Sequence, residues 1–100
     1  MGKLIKVFWR DIPSHIIFKT KSGKFKKQMS PRFAEAIDRA AMRAGKGSSE
    51  AYMADWRRDI KNIETDDPQF LVDSEIKELE EMFTDELLKK TIKLKGITEK

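Results

Sequence analysis

The sequence predicts an α+β fold: a three-stranded antiparallel meander from Lys3 to Met29, followed by three helices of which the last is long. Three observations carry that expectation. Branched and aromatic residues crowd the segment before residue 30, Ser30-Pro31 changes the apolar period from strand-like to helical, and each helical segment is preceded by a serine or aspartate suited to capping.

The stretch "KLIKVFWR", Lys3 to Arg10, reads as the first strand because bulky branched and aromatic side chains suit a pleated surface. "DIPS" supplies turn residues, and Pro13 biases Ile12 away from helix. "HIIFKTK" is the second strand, "SG" a turn, and "KFKKQM" a third strand whose Lys24, Lys26 and Lys27 suit an exposed edge.

Ser30 can accept from the free N–H groups of a helix start, and Pro31 fits the first helical position because its missing donor has no partner there anyway. Phe33, Ile37, Ala40, Ala41 and Ala44 then recur on one face, and Gly45 stops the run. After the loop "GKGSS", Ser48 or Ser49 is expected to cap a second helix with Tyr52, Trp56 and Ile60 facing inward at intervals of four. Asp67-Pro68 repeats the capping signal, and the expected third helix runs to about Leu94 with Leu71 or Val72, Ile76, Leu79, Phe83, Leu87 and Leu88 as its stripe. One domain spanning residues 1–100 follows, with residues 31–95 helical and the tail "GITEK" frayed.

Charge is distributed unevenly. The net +4 combines 14 Lys plus Arg against 5 Asp plus Glu in residues 1–58 with 7 against 12 in residues 59–100. All six arginines lie in the first part, where they offer bidentate donors to carboxylate or phosphate. The absence of cysteine removes disulfides, thiolate metal sites and thiol nucleophiles. No apolar run is long enough to span a bilayer and the N-terminus lacks the apolar core of a signal peptide, so a soluble cytoplasmic protein is expected.

"FWRDIPSHI" gathers Trp9, Arg10, Asp11, Ser14 and the single histidine, His15. Residues so close along a turn rarely converge on one reacting atom, and no GxSxG elbow accompanies them, so a Ser-His-Asp centre is disfavoured. "GKGSS" lacks the spacing of a phosphate loop, and no cofactor motif is present. Paired acids on the third helix, such as Glu78 and Glu81, read as a solvated face rather than a metal site.

Arg32, Arg39 and Arg43 lie opposite the apolar face of the first helix and form the stronger candidate, for an acidic protein, a small anion or nucleic acid. The acidic second part and the lack of aromatics interleaved with the basic residues disfavour nucleic acid.

The strings "VFWRDIP", "RFAEAIDRAAMRAG" and "AYMADWRR" resemble a family of small bacterial proteins described as virulence factor domain proteins, over about residues 4–58. The positions matching its motifs are Trp9, Arg10, Asp11, Ile12, Pro13, Arg39, Met42, Arg43, Tyr52, Trp56 and Arg57. The resemblance carries no catalytic assignment. It implies a cytoplasmic accessory role in corrinoid- or folate-dependent one-carbon methyl transfer, with a methyltransferase or oxidoreductase as protein partner. The expected function is thus a non-enzymatic adaptor whose contact surface combines Trp9, Arg10 and Asp11 with Arg39, Arg43 and Arg57. The alternative is a binding or catalytic subunit in which Arg39, Arg43 and Arg57 hold a small anion.

Overall fold

The computed structural model describes residues 2–45 and 53–97. Strands β1 (Gly2–Trp9), β2 (Ile12–Thr20) and β3 (Gly23–Gln28) precede helix α1 (Pro31–Arg43). Strand β4 (Trp56–Ile63) and helices α2 (Pro68–Met82) and α3 (Asp85–Lys93) complete the order. The sheet is antiparallel, with strand order β3-β2-β1-β4. Helix α2 lies over β2 and β3, α1 over β2, and α3 against α1.

The meander forms as its turn residues and alternation require, with Leu4 opposite Phe18 and Phe18 opposite Phe25. That side of the sheet meets the helices: Lys6 reaches Glu75 and Lys27 reaches Asp73, both on α2, at 3.1 and 3.0 Å. On the other side, Ile5 stands between Ile17 and Ile60, Val7 between His15 and Arg58, and Lys3 between Lys19 and Asn62. None of those nine side chains is acidic. A bulge at Ser14 shifts the β1–β2 register between Val7 and Phe8 and frees the Ser14 carbonyl to accept from Met29 N–H at 3.0 Å. Gly2 permits a close crossing, since a Cβ there would stand 2.5 Å from Phe18 Cζ.

One apolar cluster joins the sheet to α1, α2 and α3 through Leu4, Trp9, Phe18, Phe33, Val72 and Leu88 among others. Helix α1 buries Phe33, Ala36, Ile37, Ala40 and Ala41, and Gly45 follows it at φ +71°. Its N-cap differs from the expectation. The Ser30 hydroxyl makes no bond to its own helix and donates instead to Glu80 Oε1 at 2.9 Å, while Ser30 N–H donates to Glu80 Oε2 at 2.7 Å. A carboxylate from α2 thus does the capping, and Arg32 clasps the same carboxylate at 3.0 Å.

Two expectations about the second part are overturned. The segment around Trp56 and Ile60 is a strand, not a helix: Trp56 to Ile63 pairs residue by residue with Trp9 to Gly2, making the sheet four-stranded. Its four-residue spacing imitates a helix, but the open edge of β1 offers eight partners that no local pattern reveals. Ile60 is accordingly 61% exposed rather than buried. The expected cap at Ser48 or Ser49 and the inward face of Tyr52 lie outside the described residues.

The long last helix is in fact two. Asp67 caps α2 by accepting from Phe70 N–H at 3.0 Å, as its sequence requires. The helix then ends at Phe83, and Thr84 caps α3 by accepting from Leu87 N–H at 3.2 Å. The break turns the chain so that Phe83 packs edge-on to Phe33, ring centroids 5.9 Å apart, while Leu88 also stays buried. Among the described residues no helix is long and apolar enough to cross a membrane.

Candidate functional site: a clamped hairpin corner and a basic groove

The sequence-selected residues fall into two separate groups. Trp9, Arg10, Asp11 and Arg57 meet at the corner where the β1–β2 turn, β4 and the end of α3 converge. Arg39 and Arg43 lie in a groove between α1 and α3.

At the corner, Arg10 sits at φ +53°, a left-handed conformation that side chains other than glycine's tolerate poorly. The surroundings hold it there. Its N–H donates to the Asp55 carbonyl at 3.0 Å, and its carbonyl accepts from Arg57 Nε at 2.8 Å. Its guanidinium donates to the Lys95 carbonyl at 2.7 Å, pairs with Asp55 at 3.3 Å and lies 5.1 Å from the Trp9 ring.

The tail that receives these bonds is itself a tight helix stop. Gly96 N–H donates to the Thr91 carbonyl and Lys95 N–H to the Ile92 carbonyl, the paired bonds of a Schellman motif, with Lys95 at φ +62°. The Gly96 carbonyl accepts from Asp11 N–H at 2.9 Å. Gly96 is therefore buried and anchored rather than frayed, and the last three residues lie outside the description.

The adjacent Arg10 and Asp11 do not pair with each other. Arg10 takes Asp55, and Asp11 takes Arg57 at 3.5 Å. Arg57 also chelates both oxygens of Asp59 at 3.1 Å and stacks 4.4 Å from the Phe8 ring. Trp9 is wholly buried. This corner spends its aromatic and charged groups on internal contacts, so Trp9 and Arg10 belong to the scaffold and not to an open surface.

The groove is different. Arg39, Met42 and Arg43 of α1 face Lys89, Ile92 and Lys93 of α3 across an open cleft of about 550 Å³. Arg32 reaches Asp85 near the start of both helices, so α1 and α3 run side by side in the same direction with their C-terminal ends together. Arg43 and Lys93, in the last turns of α1 and α3, thus complement two negative helix ends. Arg39 is bridged to Glu35, but among the described residues Arg43, Lys89 and Lys93 make no ion pair. Met42, 76% exposed, supplies an apolar centre.

In the sequence Lys89 and Lys93 read only as cations matching the negative end of one long helix, not as site residues. Their i,i+4 spacing after the Thr84-Asp85-Glu86 start is the signal that finds them. Arg57 lies at the corner, and the groove does not include it. His15 is half-buried on β2, with Ser14 Oγ 3.1 Å from its Nδ1. Burial, then Lys26, then Arg58 lower its pKa, so the ring is neutral at pH 7. Among the described residues no group of three His, Asp or Glu side chains is placed to hold a metal ion.

No curated protein and no solved structure matches the chain. A family model described as Virulence factor matches residues 7–92, reaching past Arg58 through α2 and most of α3. With most of its length matched, the chain belongs to the Virulence factor family.

Proposed function

We propose that this chain is a small cytoplasmic accessory protein that docks an acidic surface of a partner protein in the α1–α3 groove. The observation that carries the reading is the groove itself: Arg39, Arg43, Lys89 and Lys93 around the exposed Met42. A charged rim around an apolar centre is the anatomy of a protein interface. Electrostatic complementarity of that kind speeds encounter and fixes register. The partner class we propose, a methyltransferase or oxidoreductase of one-carbon metabolism, rests on the family resemblance.

The test is affinity capture from the native host followed by a measured Kd for the purified partner. Charge reversal with Arg39→Glu and Arg43→Glu is expected to weaken that Kd roughly tenfold or more while leaving Tm nearly unchanged. An unchanged Kd overturns the reading. The lack of ion-pair partners for Arg43, Lys89 and Lys93 among the described residues favours a second reading, a small polyanion in the same groove. Phosphate would then raise Tm by mass action. Affinity for nucleic acid that falls steeply with salt would instead replace both readings.

A further inference from the structure

On the sheet face opposite the one that meets α2, a second cavity of about 640 Å³ opens beside Val7, His15, Met53, Trp56 and Arg58. That volume falls in the range of small-molecule sites. Val7 lies at its base, and His15 on β2 and Arg58 on β4 are its direct cross-strand partners. Direct partners stand about 5 Å apart, so the backbones of His15 and Arg58 lie roughly 10 Å from each other on either side of the apolar Val7. Trp56 and Met53 add a flat aromatic surface and a deformable thioether to the wall.

Among the described lining residues Arg58 is the one uncommitted cation, while Lys26 on the neighbouring strand β3 acts on His15 from outside the lining. Arg57 also borders the cavity but is committed to Asp59, Asp11 and the Arg10 carbonyl. The Arg58 side chain makes no ion pair or hydrogen bond among the described residues. His15 is neutral at pH 7, and if the Ser14 hydroxyl donates to Nδ1, the remaining ring proton sits on Nε2 as a donor. Among the described residues, the cross-strand neighbours on this face carry no carboxylate to compete for either donor.

We propose that this cavity binds a planar aromatic monocarboxylate, its ring against Trp56 and Val7 and its carboxylate on the Arg58 guanidinium, with His15 Nε2–H as second donor. One uncommitted guanidinium matches a single negative charge. A phosphate dianion would ask for more, and the described lining residues include neither a glycine-rich loop nor a helix N-terminus. The site is separate from the α1–α3 groove and stands or falls independently of partner docking.

The experiment titrates 2-naphthoate, neutral 2-naphthalenemethanol and 2-naphthyl phosphate into the full chain, following amide shifts by NMR and tryptophan fluorescence. Saturable naphthoate binding tighter than about 1 mM is expected, with shifts centred on Val7, His15 and Arg58. The neutral probe should bind roughly tenfold more weakly. Arg58→Gln, at an exposed position, should cost naphthoate roughly the same factor without altering the neutral probe, while Arg39→Glu changes nothing. No saturable binding, equal affinity for acid and alcohol, indifference to Arg58→Gln in a variant with a native-like spectrum, or preference for the phosphate would each overturn the proposal.

Discussion

The Arg10 guanidinium donates to the Lys95 carbonyl at 2.7 Å across 85 residues of sequence. Both residues sit in the left-handed backbone region, Arg10 at φ +53° and Lys95 at φ +62°. Two strained turns therefore lock each other, and the first hairpin is fixed to the end of the last helix.

This predicts a separable strain and bonding contribution at Arg10. Arg10→Ala removes the bonds to Lys95 and Asp55 and the stack on Trp9 while keeping a Cβ at positive φ, so a loss of about 2–3 kcal/mol is expected. Arg10→Gly loses the same contacts but relieves the backbone, and should be more stable than Arg10→Ala by about 1 kcal/mol. Urea unfolding with unchanged m-values measures both. Equal stabilities would show that the turn carries no strain.

Gly96 gives a second test with an internal control. A Cβ at Gly96 would stand 2.7 Å from Trp9 Cζ3, whereas at Gly45, which also has positive φ, a Cβ meets nothing within 4 Å. Gly45→Ala should cost only the conformational penalty, about 1 kcal/mol. Gly96→Ala adds a clash with a wholly buried indole and should cost at least about 2 kcal/mol. Thermal unfolding of the two variants side by side decides it, with equal losses counting against tight docking of the tail.

These contacts bear on what a sequence makes legible. The three-stranded meander, the lysine-rich edge, the apolar face of α1 and the Asp67 cap were readable because each depends on neighbours within a few residues. The fourth strand was not, since its cause is the unpaired edge of β1, some fifty residues earlier. The Phe83 break was half legible: Thr84 before Asp85-Glu86 is a start signal, but a continuous apolar stripe on either side masked it. Likewise Arg10 and Asp11 are neighbours in sequence, yet the topology gives them separate partners, Asp55 and Arg57, that no local pattern reveals.

Ile60 distinguishes the two descriptions of its segment. As an inward residue of a helix it would be part of the core, and truncation would cost about 2–5 kcal/mol. As an outward residue of edge strand β4, 61% exposed, its replacement by threonine, itself a good strand former, should change stability by no more than about 0.5 kcal/mol. Denaturant midpoints for Ile60→Thr give the answer.

Glu80 ties stability to pH. Burial alone would raise its pKa, but the Ser30 N–H and hydroxyl and the Arg32 guanidinium outweigh it and hold the carboxyl below its ordinary value. In the unfolded chain the same group binds protons more readily, so its contribution is full above about pH 4.3 and is lost as pH falls through the lower folded pKa. Asp73, held down chiefly by its hydrogen bond from Lys27 and then by that from Gln69, acts in the same direction. His15 does so at higher pH, because its lowered pKa lets the unfolded chain take up protons first below about pH 6.5. Glu80→Gln should therefore lower Tm at pH 7, where the α1 N-terminus loses its anionic cap, and the deficit against wild type should shrink steadily below about pH 4.3. Melting curves for both proteins between about pH 7 and pH 3 follow that convergence. Parallel Tm profiles would mean that the Ser30–Glu80–Arg32 cluster is held by geometry and not by the carboxylate's charge.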